Sequence, residues 1–173
     1  MENLVVLVDE NDNQIGVGEK LEVHRNGLLH RAFSIFVFNE KRELLLQQRA
    51  REKYHSGGLW ANTCCSHPFP DEDLNRAAHR RLKEEMGFDC ELREVGSFIY
   101  RAELEGGLVE NELDNVFVGQ FEGEPDVNPL EVAEYKWISM KDLYEDITKN
   151  PDRYVYWLKH ILQNHGKKWF KND

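Results

Sequence analysis

A nearly unbroken apolar stretch in the first third of the chain constrains its fold most. Successive side chains of a β-strand point to opposite faces of the sheet, so a strand that is buried on one face alternates apolar and polar residues. Between Arg31 and Phe38 both alternating sets are largely apolar. The two sets are Phe33, Ile35 and Val37, and Ser34, Phe36 and Phe38. This strand is therefore expected to be buried on both faces, within a sheet that carries other elements on both sides.

The rest of the chain supplies further strands and the helices to cover them. Polar turns at 9–13 and 39–42 separate the early strands, as in hairpins. Further strands are predicted at Leu4–Val8, Glu43–Arg49, Glu91–Arg101, Glu112–Phe121 and Tyr135–Ile138. Helices are predicted at 71–86, 141–147 and from 151 to about 163. The pattern favours an α+β or α/β sandwich, a mixed β-sheet flanked by helices, formed as a single domain over residues 1–173.

The helix over residues 71–86 has the clearest boundaries. Asp71 follows Pro70 and is expected to be the N-cap, and Gly87 stands at the C-terminal cap position. Its apolar stripe comprises Leu74, Ala77, Ala78, Leu82 and Met86. A loop is expected at 25–29, and Pro151 is expected to open the last helix.

Composition excludes several classes of function. The 173 residues are 40% hydrophobic and 11% aromatic, typical of a globular protein with a core. A net charge of −10 argues against nonspecific nucleic-acid binding. The apolar run at the N-terminus is too short for a signal peptide or membrane span. The three cysteines, Cys64, Cys65 and Cys90, do not form a disulfide framework, which favours the reducing cytoplasm.

Two short segments carry the chemistry. Asn62–Pro68 places the thiol of Cys65 near the imidazole of His67, and Glu110 and Glu112 share one face if their segment is a strand. A thiol and a carboxylic acid aimed at one small volume can give a proton and take one away.

Three of the seven histidines are candidate metal ligands with these carboxylates. His24, His30 and His67, together with Glu110 and Glu112, would suit Zn²⁺, Mn²⁺ or Mg²⁺. The ligands are scattered along the chain, so these histidines would also fit as ordinary surface or core residues. A zinc knuckle at residues 64–67 ranks lower, because the chain has no second cysteine pair at finger spacing.

The helix and its flanks resemble the Nudix box, the motif with which Nudix hydrolases collect divalent cations around a diphosphate. Glu72, Arg80, Glu84, Glu85 and Gly87 match the box. Ser66 replaces its first glycine, and Arg81 replaces the first glutamate of its central run. Arginine removes an anionic ligand and adds a phosphate-binding fork, which favours binding a diphosphate over hydrolysing it.

With the segments 62–68 and 108–112, the altered box resembles the type I isopentenyl diphosphate isomerases, Nudix-related enzymes of isoprenoid biosynthesis. The resemblance covers about Lys20 to Trp157. It implies an isomerase for a small isoprenyl diphosphate, with Glu112 as acid, Tyr100 assisting it, and Cys65 as a thiolate base favoured by nearby positive charge. It implies metal ligation by His24, His30, His67, Glu110 and Glu112, and a second ion, Mg²⁺, at Glu85. It implies a diphosphate clamp formed by Lys20, Arg49, Lys53 and Arg81. It also implies that Trp157 forms an aromatic wall of the site.

Two other functions compete with the isomerase. One is a Nudix hydrolase acting on a nucleoside or prenyl diphosphate, against which Arg81 and Cys65 argue. The other is a non-catalytic zinc-binding interaction module. Without the resemblance, Trp157 would be interpreted as core packing in a helix, and Glu84 with Glu85 as a solvated helix face. A cytoplasmic monomer is expected, with no nucleic-acid or membrane partner.

Overall fold

The computed structural model describes residues 3–171. In this range nine strands join in one mixed sheet. The strands are β1 (Leu4–Val8), β2 (Gln14–Glu19), β3 (His30–Phe38), β4 (Glu43–Arg49), β5 (Trp60–Ala61), β6 (Cys64–Ser66), β7 (Leu92–Glu103), β8 (Val109–Gln120) and β9 (Val132–Ser139). The helices are α1 (Lys20–Asn26), α2 (Leu74–Met86), α3 (Met140–Lys149), α4 (Tyr156–Asn164) and α5 (Gly166–Trp169). None of them is long and apolar enough to cross a bilayer.

Strand β3 lies at the centre and is covered on both sides, as its sequence predicts. It runs parallel to β8 and antiparallel to β6. One of its faces packs Phe33, Ile35 and Val37 against α2. The other packs Phe36 and Phe38 against α3, α4 and α5. The predicted mixed sheet with helices on its faces is confirmed.

The pairing of β3 decides which side chains meet. Across β6, Ser34 stands opposite Cys65, and across β8, His30 stands opposite Glu112. Strand β4 pairs with β3 only at Phe38 and Leu44 and then pairs along its length with β9. This divergence leaves room beside β3 for the short strands β5 and β6, which the sequence analysis did not predict.

Helix α2 begins later than predicted. Its N-cap is Asp73, whose side chain accepts a hydrogen bond from the Arg76 backbone N–H at 3.0 Å. Asp71 lies before the helix with a φ of +66°, so its prediction as the cap is wrong. The reason is a tight turn in which Glu72 accepts from the backbone N–H of Phe69 at 2.9 Å. This turn occupies the residues that would otherwise extend the helix.

The C-terminal cap of α2 is confirmed. Gly87 adopts the left-handed conformation at a φ of +74°. A Cβ at this position would lie 2.1 Å from the carbonyl oxygen of Asp126, so the close approach of the following chain also requires glycine.

Two other predicted boundaries are wrong. Residues predicted as one helix from Pro151 form a 3-10 turn, Pro151–Arg153, followed by two extended residues before α4. The extended residues are tied to β5, where the Val155 N–H donates to the Trp60 carbonyl at 3.0 Å. The predicted loop at 25–29 is shorter, since α1 extends to Asn26 and ends at Gly27.

Candidate active site

One cavity gathers most of the predicted site residues. Its lining draws on α1, α2, α4, the loop after β4, and strands β3, β6, β7 and β8. The predicted residues in the lining are Lys20, Arg49, Lys53, Cys65, His67, Arg81, Tyr100, Glu110, Glu112 and Trp157. Sequence segments up to 137 residues apart thus meet at one cavity.

A group of four ligand atoms at this cavity could hold a metal ion. His24, His30, His67 and Glu112 place one nitrogen or oxygen each within 4.8 Å of one another. The Nδ1 atoms of His24 and His30 face the carbonyl oxygens of Lys20 and Leu28, at 2.6 and 2.9 Å. Those bonds require a proton on Nδ1, so each Nε2 presents a lone pair to the group.

The burial of these nitrogens supports a cation between them. Nε2 of His24 and of His30 are both buried without a hydrogen-bond partner. Such orphaned acceptors are costly unless something binds them. Burial, followed by the charge of Lys20, lowers the pKa of His67 to about 3, which keeps this imidazole neutral and able to act as a ligand.

Glu110 belongs to a second group that overlaps the first. Its ligand atoms lie within 4.8 Å of those of His24 and His55. The resemblance predicts Glu110 directly among the other ligands, and no sequence motif marks His55. His55 stands alone in a loop without a ligand-like spacing, so only its position in the fold reveals it. Burial lowers the pKa of His55 despite its hydrogen bond to Glu110, and its ring is neutral.

The two glutamates share one face of β8, as the i, i+2 spacing predicts. Glu112 Oε2 accepts from the Tyr100 hydroxyl at 2.7 Å, and Oε1 lies 2.9 Å from His67 Nε2. Burial opposes ionisation of Glu112, but the neighbouring imidazoles of His30 and His67 hold its pKa well below the ordinary value.

The same face of β8 continues to a third acid that the sequence analysis missed. Asp114 is buried and accepts from the Ser34 hydroxyl at 2.7 Å. Burial, and then the charge of Glu112, raise the pKa of Asp114 well above the ordinary value. Extending the i, i+2 alternation of the two glutamates by one step would have identified it.

Cys65 enters the cavity from β6. Its Sγ lies 3.0 Å from Asn62 Oδ1 and 3.0 Å from the indole nitrogen of Trp157. The indole N–H donates to sulfur while the thiol donates to the amide oxygen. Burial, and next the charge of Asp114, raise the pKa of the Cys65 thiol, and the opposing effects of Trp157 and Arg49 are smaller. Nearby positive charge thus favours the thiolate, as expected, but burial outweighs it in this structure.

Cys64 faces the other way. It is fully buried and packs among the apolar residues beneath α2. The period of two in β6 sends adjacent cysteines to opposite faces. Cys65 is thus the cysteine that reaches the cavity.

Four cations crowd one side of the cavity, although the chain as a whole is acidic. Lys20, Arg49, Lys53 and Arg81 all line it. Burial, followed by repulsion from the other three, lowers the pKa of Lys20 to about 8. Mutual repulsion of this kind indicates a site for an anion with several charges.

Glu85 lies apart from both candidate metal groups. Its Oε1 is 2.5 Å from Arg81 Nη2, and its Oε2 accepts from the Gln47 amide at 2.8 Å. Arg81 also approaches Glu131 at 3.3 Å, and Lys53 forms an ion pair with the same carboxylate. Arg81 thus pairs with two carboxylates of its own helix, Glu84 and Glu85, and with Glu131.

Comparison with known proteins agrees with this geometry. Residues 28–159 match the NUDIX domain. The chain therefore belongs to the Nudix family, as the altered box predicted.

The curated relatives with similar sequences carry the name of one enzyme. The chain is 54% identical over 162 residues to isopentenyl-diphosphate Delta-isomerase 2 of Photorhabdus laumondii, covering 94% of this chain and 92% of that protein. It is 52% identical over 162 residues to isopentenyl-diphosphate Delta-isomerase 2 of Aromatoleum aromaticum, covering 94% and 86%. The crystal structure of DR0079 from Deinococcus radiodurans superposes with a TM-score of 0.76 over 94% of this chain and 99% of that one. At 15% identity, that likeness concerns the fold.

Proposed function

We propose that this chain is an isopentenyl-diphosphate Delta-isomerase, which interconverts isopentenyl diphosphate and dimethylallyl diphosphate. The observation that carries the proposal is that Cys65 and Glu112 line one cavity, beside a cluster of four cations. The relatives at about half identity bear this enzyme's name. The cations suit the diphosphate, and the thiol and carboxylate suit the two proton transfers.

The reaction needs one group that gives a proton and one that takes a proton. Protonating an unactivated alkene produces a tertiary, carbocation-like species, and removal of a proton across the allylic unit completes the shift. Burial raises the pKa of the Cys65 thiol, whereas the imidazoles of His30 and His67 outweigh burial and lower the pKa of Glu112. We propose that Glu112, held by the Tyr100 hydroxyl, gives the proton to the alkene, that Cys65 takes the second proton, and that the two groups exchange roles in the reverse reaction.

Metal ions complete the proposed site. A divalent ion held by His24, His30, His67, Glu110 and Glu112 would supply positive charge that orients and acidifies the Glu112 carboxyl group. Zn²⁺, Mn²⁺ and Mg²⁺ all suit this donor set. Mg²⁺ at Glu85 would bridge to the diphosphate, beside Arg81.

Trp157 serves this chemistry in two ways. Its N–H fixes the Cys65 sulfur at 3.0 Å, and its buried ring excludes water that would trap a cation. A desolvated aromatic face stabilises a cation by about 0.5–2 kcal/mol. We therefore assign Trp157 to the aromatic wall.

The whole chain is proposed to act as one Nudix-like domain and as a cytoplasmic monomer. The single continuous sheet of residues 3–171 supports one domain. Gel filtration of the purified protein tests the monomer.

Product analysis tests the function. The purified protein with Mg²⁺ and Mn²⁺ is incubated with isopentenyl diphosphate, and proton NMR and a phosphate assay follow the products. Dimethylallyl diphosphate without phosphate release is expected. Released phosphate would instead support a Nudix hydrolase, which the Arg81 replacement in the box disfavours.

Two variants test the proton-transfer pair. Cys65→Ala and Glu112→Gln should each lower kcat by at least about 1,000-fold, since each removes a reacting group. Cys90→Ser is the matched control, because Cys90 lies outside the cavity lining and its loss should leave kcat unchanged. Turnover above about a tenth of the wild-type value in Cys65→Ala would remove Cys65 from the mechanism.

A further inference from the structure

A histidine outside the predicted ligand set holds one of the metal-site carboxylates. His55 Nε2 lies 2.8 Å from Glu110 Oε1, and both side chains are almost fully buried. A carboxylate oxygen can only accept, so Nε2 carries the proton. The other oxygen, Glu110 Oε2, is buried without a hydrogen-bond partner and lies 3.4 Å from His24 Nε2. His55 therefore turns the unsatisfied oxygen toward the orphaned nitrogen of His24.

The opposite edge of the His55 ring is fixed as well. Its Nδ1 lies 3.0 Å from the Ser56 hydroxyl oxygen. Because Nε2 carries the ring proton toward Glu110, Nδ1 accepts from that hydroxyl. The Ser56 contact thereby selects the tautomer that can donate to the carboxylate.

The backbone at Ser56, whose hydroxyl contacts His55, has an unfavourable conformation. Its φ of +53° falls in the left-handed region that non-glycine residues rarely adopt, although the next two residues are glycines. Its N–H donates to Glu105 Oε1 at 2.9 Å, which ties this turn to the segment that leads into β8 and Glu110. The left-handed turn at Ser56 holds its hydroxyl beside Nδ1 of His55.

His55 also contacts the other two parts of the cavity. Its carbonyl oxygen accepts from Arg49 Nη2 at 3.2 Å, and its ring meets Trp157 edge-on with centroids 5.9 Å apart. One loop residue thus borders the candidate metal ligands, the cation cluster and the aromatic wall.

From these contacts we propose that His55, oriented by Ser56, is a positioning residue that aims Glu110 at the divalent cation. The proposal rests on the proposed function only in using the same metal site. His55 acts through the carboxylate and does not itself ligate the ion. Partners of this kind change metal affinity by about 10–100-fold when removed.

Metal affinity is measured with Co²⁺ alone, whose visible absorption reports its ligands. His55→Ala should weaken Co²⁺ binding about 10–100-fold. His55→Gln, which keeps a side-chain N–H donor, should recover part of that loss with the band position of the wild type. A shifted band in His55→Gln would show that His55 is itself a ligand and would overturn the proposal.

Ser56→Gly separates positioning from folding. Glycine accepts the positive φ without strain, so the variant should be at least as stable to urea as the wild type, yet bind Co²⁺ more weakly. His79→Ala is the matched control, because His79 also pairs with a carboxylate, Asp89, but on the surface away from the cavity. It should leave Co²⁺ binding unchanged.

The outcomes distinguish this inference from the proposed function. Unchanged Co²⁺ affinity in both His55→Ala and Ser56→Gly would overturn the positioning role while leaving isomerase activity to stand on its own assay. A wild type that converts isopentenyl diphosphate but binds no Co²⁺ would overturn it too. Tight, His55-dependent Co²⁺ binding without isomerisation would support the positioning role and contradict the proposed function.

Discussion

Replacing Lys20 by methionine should stabilise the ligand-free protein while weakening its hold on diphosphate. Burial and the charges of Lys53, Arg81 and Arg49 lower the pKa of Lys20 from 10.5 to about 8. A tenfold change in proton affinity is worth about 1.4 kcal/mol, so keeping Lys20 charged costs the folded state about 3 kcal/mol. The folded pKa is the lower one, so this cost is complete below pH 8 and disappears above pH 10.5.

The assay is urea unfolding under reducing conditions at several pH values. At pH 7 the free energy of unfolding of Lys20→Met should exceed that of the wild type by about 2–3 kcal/mol, and the difference should shrink as the pH rises from 8 toward 10.5. Methionine keeps most of the apolar stem, so the change mainly removes the charge. Lys41→Met, at an exposed turn, is the control and should change stability little.

Inorganic pyrophosphate should act against this stability difference between Lys20→Met and the wild type. It should stabilise the wild type more than Lys20→Met, because the wild type has one more cation to satisfy. A variant that is less stable than the wild type at pH 7, or whose gain does not vary with pH, would refute the electrostatic account of this cluster.

Three further substitutions test separate parts of the structure. Cys64→Ser should lower the free energy of unfolding in urea by about 1–3 kcal/mol while leaving kcat near the wild-type value, because its hydroxyl would be buried on the face away from the cavity; a large loss of kcat in the folded variant would contradict this. Tyr100→Phe should lower kcat by about tenfold with a similar KM in steady-state assays, since it removes the 2.7 Å bond to Glu112; an unchanged kcat would mean that the hydroxyl does not matter. Gly87→Ala should lower the thermal midpoint, since it strains a φ of +74° and meets the Asp126 carbonyl; an unaltered midpoint would contradict the cap geometry.

Local patterns in the sequence predicted much of the architecture. The double apolar alternation around Phe33 and Phe36 predicted a strand covered on both faces, and the structure confirms it. Side-chain periodicity depends on near neighbours in the sequence, so it can be recognised without knowing the fold. The sequence predicts the N-cap of α2 at Asp71, but the structure has it at Asp73. The turn at Glu72 displaces the cap, and it depends on a contact with Phe69 that the helix pattern does not include.

The reactive residues were predictable where a dense motif marked them. Cys65, His67, Glu110 and Glu112 stand in two short segments, and the pairing of β3 with β6 and β8 brings both to one cavity. His55, in contrast, is a single histidine in a loop. Its importance comes from its distance to Glu110, which no local spacing encodes.

The sequence alone determined which chemical groups this protein has and the family to which it belongs. Those properties reside in residue types and short-range order, and they survive in any conformation. Only the tertiary structure decided which groups meet, and what protonation they hold there. Burial, and then the charge of Asp114, raise the pKa of the Cys65 thiol. Burial, followed by repulsion from three other cations, lowers the pKa of Lys20. Desolvation and long-range contacts exist only after the chain has folded, and they set the acidity on which the proposed chemistry depends.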